Sequence, residues 1–162
     1  MASAEYFLKI DGVNGESGKK GYEKQIEIES FSWSESQSGG ASVGGGSGVG
    51  GVNMTDFQFM IKMNTASPVL MVACATGKHY PKAILTARKA GGTQQAYLTW
   101  TMSDCMITSY NTGGSNGSDT VPSEAFSMSF KKIEVSYKPQ NADQSLGTAV
   151  PAGFDLNTMT ST

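Results

Sequence analysis

The sequence has little charge, one histidine and two cysteines, and each shortage closes off a class of function. Twelve Lys and Arg against fourteen Asp and Glu leave a net charge of −2, with charged residues only 16% of the chain. No basic patch is present to neutralise phosphates, which argues against nucleic acid or an anionic membrane surface as a partner. Low charge also leaves little repulsion to keep copies of the chain apart. One histidine and two distant cysteines offer no ligand spacing for a metal, and no cofactor is expected. Cys74 and Cys105 lie in apolar stretches without motif spacing, so they read as reduced, buried thiols of a protein that folds in a cytoplasm. No apolar run approaches the roughly 18 residues that span a bilayer. The start "MASAEYFLKI" has neither the basic opening nor the apolar stretch of a cleaved signal peptide. Any export is therefore expected to use a route that reads no such leader.

What the chain has in excess is glycine and alternation. At 162 residues it is one domain's worth, long enough for a real core. Eight of the thirteen residues from Gly39 to Gly51 are glycine, a loop with almost no side chains to offset its ordering cost. Three readings compete for it: a linker, a phosphate cradle, or an arm that orders against another chain. Elsewhere the pattern is strands. Tyr6, Leu8 and Ile10 alternate before the turn "DGVNGESGKKG". "QIEIESFSWSES" shifts phase by one residue near Glu29 and Ser30, and "EAFSMSFKKIEVSY" slips at Lys131 and Lys132. Strand side chains alternate strictly, so such slips imply bulges or bends that let a sheet curl. The predicted fold is mainly β: a closed or strongly curled antiparallel barrel of two sheets with one short α-helix. "TASPVLMVACATGKH" supplies that helix over about 67–76, with Ser67 as N-cap, Pro68 in the first turn and Gly77 as the stop. Its apolar residues run nearly all the way round, so it must be covered on more than one side. Residues 1–138 form the domain, and the polar tail 139–162 is expected to be mobile or a subunit-contact arm.

Candidate chemistry is sparse. "TGKH" at Thr76–His79 ends like a phosphate-binding loop, but Val72 stands where the first glycine belongs, His79 where a Ser or Thr should bind magnesium, and Gly77 ends a helix rather than opening one. The glycine-rich loop fails as a cradle too, because no lysine closes it and a strand follows. Cys74 and His79 are five residues apart, yet a thiol in an apolar helix and an imidazole at a helix end suit structure better than catalysis. Asp56, Asp104, Asp119 and Glu124 read as solvated charges rather than a hydrolytic pair. Trp33 and Trp100 fall in the apolar phase of their strands and read as core. Nothing argues for an enzyme. Beside Phe31 and Trp33 stand Ser30, Ser32 and Ser34, beside Phe126 and Met128 stand Ser127 and Ser129, and Thr99, Thr101 and Ser103 repeat the pattern. A face of small hydroxyls suits a water-filled channel wall and a plain solvent-facing sheet equally.

The stretches "FSWSESQSGG", "SPVLMVACATGKHYPKAILTARKAGG" and "TGGS" before "EAFSMSF", in this order, resemble the haemolysin-coregulated protein (Hcp) family of the bacterial type VI secretion machine. The match runs roughly from Phe7 to Pro139 and is most specific over Ser67–Gly92. The resemblance implies a structural tube subunit without catalytic residues: homo-hexameric rings that stack with other copies into a hollow tube. It implies as partners a spike protein, contractile sheath proteins and effector proteins carried in the lumen. It also implies assembly in the bacterial cytoplasm followed by secretion, with no membrane insertion. The family's extended loop after the second strand reaches a neighbouring subunit, so the resemblance assigns to the subunit interface Gly39, Gly40, Ala41, Ser42, Val43, Gly44, Gly45, Gly46, Ser47, Gly48, Val49, Gly50, Gly51 and Val52. In such a tube Ser32, with Ser30 and Ser34 beside it, is expected on the lumen wall, facing cargo. The competing reading is a monomeric β-barrel module that binds a small ligand or sugar near Trp33 or Trp100.

Overall fold

The computed structural model describes residues 3–38, 51–90, 94–117 and 121–162. Twelve strands and one helix follow in chain order: β1 (Ala4–Ile10), β2 (Ile26–Ile28), β3 (Ser30–Ser32), β4 (Glu35–Gln37), β5 (Val52–Met54), β6 (Phe57–Lys62), α1 (Ser67–Thr76), β7 (His79–Lys89), β8 (Ala96–Gly113), β9 (Ser123–Ser129), β10 (Lys132–Tyr137), β11 (Val150–Asp155) and β12 (Thr160–Ser161). Every ladder is antiparallel. β8 organises the molecule. β7 pairs along one edge of it, while β9 and β10 run end to end along the other, β9 against Met106–Gly113 and β10 against Leu98–Ser103. β1 and β2 extend the sheet beyond β7, β6 and β3 extend it beyond β9, and β11 and β12 extend it beyond β10.

Both phase slips read from the sequence fall at breaks between strands. At Glu29 the chain leaves β1 and joins β6, and the Glu29 N–H donates to Met60 O at 2.9 Å as it crosses. At Phe130–Lys131 the edge strand of β8 breaks between β9 and β10. There Asp104 of β8 takes φ 54, rare for a non-glycine residue, and it faces Pro81, which has no N–H to give the ladder.

The expected architecture holds in part. The fold is mainly antiparallel β with one short helix, but the ladders form one ten-stranded sheet plus the small β4–β5 pair, and they do not close. No ladder joins β2 to β3, because those two strands are halves of one bent segment serving different neighbours. The core is the inward phase of this curled sheet. Phe57, Phe59 and Ile61 of β6 are fully buried, and Phe59 stacks on Phe126 with centroids 5.0 Å apart. Trp33 and Trp100 are only partly buried at one end of this aromatic column.

The tail, expected to be mobile or a subunit-contact arm, carries two strands of the sheet. Val150–Asp155 pairs along the whole of β10, Thr160–Ser161 folds back on Phe154 and Asp155, and the Leu156 N–H donates to Lys131 O at 2.7 Å. Its few apolar residues looked like scattered anchors because an edge strand needs backbone hydrogen bonds more than an apolar stripe. Pro151 is compatible with such an edge position.

The helix start also differs from expectation. Ala66, not Ser67, is the N-cap, and no side chain caps it. Ser67 lies one residue inside and turns its hydroxyl into the core, onto Glu124. Gly77 ends the helix at φ 64, the left-handed conformation that glycine adopts at least cost. No described helix is long and apolar enough to cross a membrane.

Candidate functional site

The hydroxyl-bearing residues of β3 and β9 meet on one sheet face. Cross-strand register places two rows over four strands: Ser30, Met60, Ala125 and Asn111 in one, Ser32, Gln58, Ser127 and Ser109 in the other. Together they line a shallow depression of about 360 Å³ with no charged side chain in either row. Hydrogen bonds knit one end of it. The Ser109 and Ser127 hydroxyls lie 2.5 Å apart, and Thr108 Oγ1 donates to Asp56 Oδ2 at 2.7 Å while lying 2.7 Å from Ser127 Oγ. Ser30 and Ser32 are exposed, beside the exposed Met60 and Gln58, so this face is uncharged and open to water.

Ser34 is not brought into these rows. It sits past the end of β3, where its N–H donates to Thr55 Oγ1 at 3.0 Å and Thr55 Oγ1 donates back to Ser34 O at 3.1 Å. Thr99, Thr101 and Ser103 belong to the other half of β8, opposite β10. The glycine-rich arm is bracketed by a hairpin stem: β4 pairs with β5, and the Ser38 hydroxyl donates to Gly51 O at 3.1 Å. Of the fourteen arm positions, Gly51 and Val52 are in this stem, and Gly39 to Gly50 lie outside the described residues.

The groups weighed for catalysis are apart or structural. His79 is exposed, and its Nδ1 lies 3.3 Å from Asp104 Oδ1. Asp104 also meets Lys131 Nζ at 3.3 Å, and the Lys131 hydrogen bond, helped by that of His79, holds its carboxyl below the usual carboxylate range. Burial pushes the Cys105 thiol up to about 12, which removes the thiolate a nucleophile requires. Glu124 corrects the sequence reading. It is 1% exposed rather than solvated, and accepts hydrogen bonds from the Ser67 and Tyr110 hydroxyls, so it ties α1 to the sheet. Asp119 lies outside the described residues.

Two further features stand apart from this face. Arg88 is buried on the outer face of the sheet, where Nε donates to Glu5 Oε2 at 2.8 Å and the guanidinium lies 5.1 and 4.9 Å from the Phe7 and Tyr22 ring centroids. It pins residues 11–25 over β1. The second is a cleft of about 740 Å³ beside the arm's stem, with Trp33, Met54, Trp100, Val135 and Phe154 in its lining. The Arg88 clamp was not legible, because it joins segments that only the tertiary fold brings together, whereas the cleft lies where the competing ligand-binding reading expects one, near Trp33 and Trp100.

The comparisons agree with one another. The model of the family described as type VI secretion system effector, Hcp, matches residues 7–137. Protein hcp1 of Pseudomonas aeruginosa is 43% identical over 142 residues, which is 87% of this chain and 87% of that one. The crystal structure of Hcp1 from Salmonella typhimurium superposes with a TM-score of 0.81 at 31% identity over the full length of both chains. A structure described as a type six secretion system protein superposes at 0.91 and 25% identity, over 99% of this chain and 100% of that one. A uniform antiparallel fold, a neutral hydroxyl face and a catalytically idle set of titratable groups converge with these likenesses, and the chain belongs to the Hcp family of non-enzymatic type VI secretion proteins.

Proposed function

We propose that this chain is a structural subunit of the type VI inner tube, forming hexameric rings that stack into a hollow tube and leave the cell with the effector they carry. The observation that carries the reading is the two-row face built on Ser30 and Ser32: eight cross-registered positions without a charge, concave, six of them bearing a hydroxyl or a carboxamide and the other two Met60 and Ala125. Such a face attracts no counter-charge and holds no passenger by ion pairing, which suits a wall along which different proteins must move. Ser34, off the rows, sits at the lumen's edge in this reading. The glycine-rich arm, Gly39 to Val52, lies flat along a neighbouring subunit, where the absence of side chains permits close backbone approach. A spike protein at the tip and contractile sheath proteins around the tube are the further partners.

Native mass spectrometry with negative-stain images tests this. Rings with an open centre are expected. Ser32→Trp should leave them intact while co-purification of a co-expressed effector falls about tenfold or more, the scale of an obstructed interface centre. Deleting Ala41–Val49 should remove the rings. A monomer at every concentration would refute the tube subunit, and lost rings in Ser32→Trp would mean that the position is packed between subunits. The cleft beside Trp33 and Trp100 is the one feature favouring the competing small-ligand module, and the same mass measurement separates the two.

A further inference from the structure

Helix α1 carries no charged residue on any side, yet among the described residues only one side of it is covered. Ser67, Leu70 and Ala73 are buried, whereas Pro68, Val69, Met71, Val72, Ala75 and Thr76 are exposed. The only hydroxyl among those six is taken up by the helix's own backbone, Thr76 Oγ1 donating to Val72 O at 2.8 Å. A helix that ends in water normally dresses its outer face with charge, and one that is apolar all round is buried. The outer face of α1 is therefore half of a contact.

The other half is on the same chain. The Trp33/Trp100 cleft is concave and mainly apolar, and among the described residues Glu35 is the single charged residue of its lining. The Trp33 and Trp100 indole N–H groups are buried without a hydrogen-bond partner. Exposed Met159 lies in the lining, and exposed Val150 and Tyr137 lie on the adjoining strands β11 and β10. One surface is convex and one concave. Each is nearly free of charge, and neither is complementary to itself.

We infer that the outer face of α1 in one copy, led by Val69, Met71 and Val72, seats in the Trp33/Trp100 cleft of the next copy. The inference rests on the ring reading in taking the partner to be a second copy of this chain. A contact between two different patches is head-to-tail and propagates into a closed ring or a stack rather than ending at a dimer. The near-neutral chain leaves little electrostatic cost to repeating it.

The test pairs Val72→Cys with Val135→Cys in a Cys74→Ser background, Cys105 being buried. Under mild oxidation the double variant should give a disulfide ladder beyond the dimer on a non-reducing gel, and each single variant nothing larger than a dimer. Rings by native mass spectrometry without that ladder would overturn the contact and leave the tube reading intact. Absence of rings in the parent protein would overturn both. As an independent check, Val72→Lys is on an exposed site and should leave the melting temperature unchanged while raising the concentration needed for assembly by about tenfold or more. Assembly like the parent's would refute the inference. The chain's only tryptophans line the cleft, so their emission should shift to the blue on assembly and not in Val72→Lys. A monomer whose emission instead responds to added indole would assign the cleft to a small aromatic ligand and overturn it.

Discussion

Gly15→Ala should be among the most damaging single-methyl changes in this protein, and its neighbour Gly18→Ala among the least. Gly15 lies where the loop over β1 crosses the start of β2: its N–H donates to Lys24 O at 2.8 Å, and the Ser17 N–H donates to Gln25 O at 3.1 Å. A Cβ built on Gly15 would stand 2.5 Å from Gln25 O and 2.7 Å from both Gln25 C and Ile26 Cα. All three are backbone atoms, so no rotamer change relieves the contact. Either β2 moves off β1, where Ile26 pairs with Leu8 and both are fully buried, or the loop gives up its hydrogen bonds. Overpacking of this kind costs about 1–3 kcal/mol, and one or two lost hydrogen bonds add about 0.5–1.5 kcal/mol each. The expected destabilisation of about 3 kcal/mol corresponds to a melting temperature lower by roughly 6–12 °C in a chain of this size. At Gly18 nothing lies within 4 Å of the added methyl and φ is not positive, so Gly18→Ala is expected to be neutral or to stabilise by about 0.4–1 kcal/mol through the unfolded chain. Thermal melts of both variants, followed by circular dichroism in the same buffer, decide the matter. Melting temperatures within about 2 °C of each other would refute the argument.

Two further outcomes follow from the titratable groups. The Arg88 hydrogen bond, assisted by Lys19 at 3.3 Å, holds the Glu5 carboxyl below its ordinary range. A carboxylate whose folded pKa is depressed stabilises the fold above its unfolded value, near 4.3, and loses that contribution as pH falls through the folded value. Arg88→Gln should lower stability at pH 7 by about 1.5–3 kcal/mol, from the lost charge-assisted hydrogen bond of this part-buried pair and the lost ring contacts. It should also flatten the acid side of the stability profile below about pH 5; urea midpoints running parallel to the parent's from pH 7 to 3 would count against the clamp. For the thiols, an aromatic disulfide reagent at pH 8 should titrate half-buried Cys74 alone in the native protein and both cysteines in guanidinium, because Cys105 is sealed in the core. Two fast-reacting native thiols would contradict that burial.

The parts of the fold that show in the sequence are those fixed by local periodicity. Ile26, Ile28 and then Phe31 mark the bend at Glu29 because one missed alternation moves every later side chain to the other face. Pro68 and Gly77 bracket α1 because each has a backbone requirement of its own. The hydroxyl face shows as serines beside aromatics, but its two-row order depends on the register of β3, β6, β9 and β8, which no single strand encodes. Glu124 was misread for the same reason. Its partners, Ser67 and Tyr110, are 57 and 14 residues away, and nothing near "SEAFSMSF" marks the carboxylate as enclosed. Arg88 looks like one more strand-face cation until Phe7 of β1 and Tyr22 of the loop folded over it are seen stacked on each other beside its guanidinium.

The tail gives the molecule's edges a direction. Without Val150–Asp155 the six residues of β10 would present an open row of backbone donors and acceptors, a template for edge-to-edge pairing with any copy nearby. With it, the outer strand of the extension is the two-residue β12, and β11 carries Pro151, which cannot donate to a ladder. A chain with so little charge has few other means of discouraging indiscriminate strand pairing. Covering this edge leaves side-chain surfaces, the uncharged helix face and the tryptophan cleft, as the places where a second copy gains most by docking. Side-chain packing fixes one orientation, whereas an open strand edge accepts several registers. For a protein that must repeat the same angle from copy to copy, that difference separates a closed ring from an aggregate.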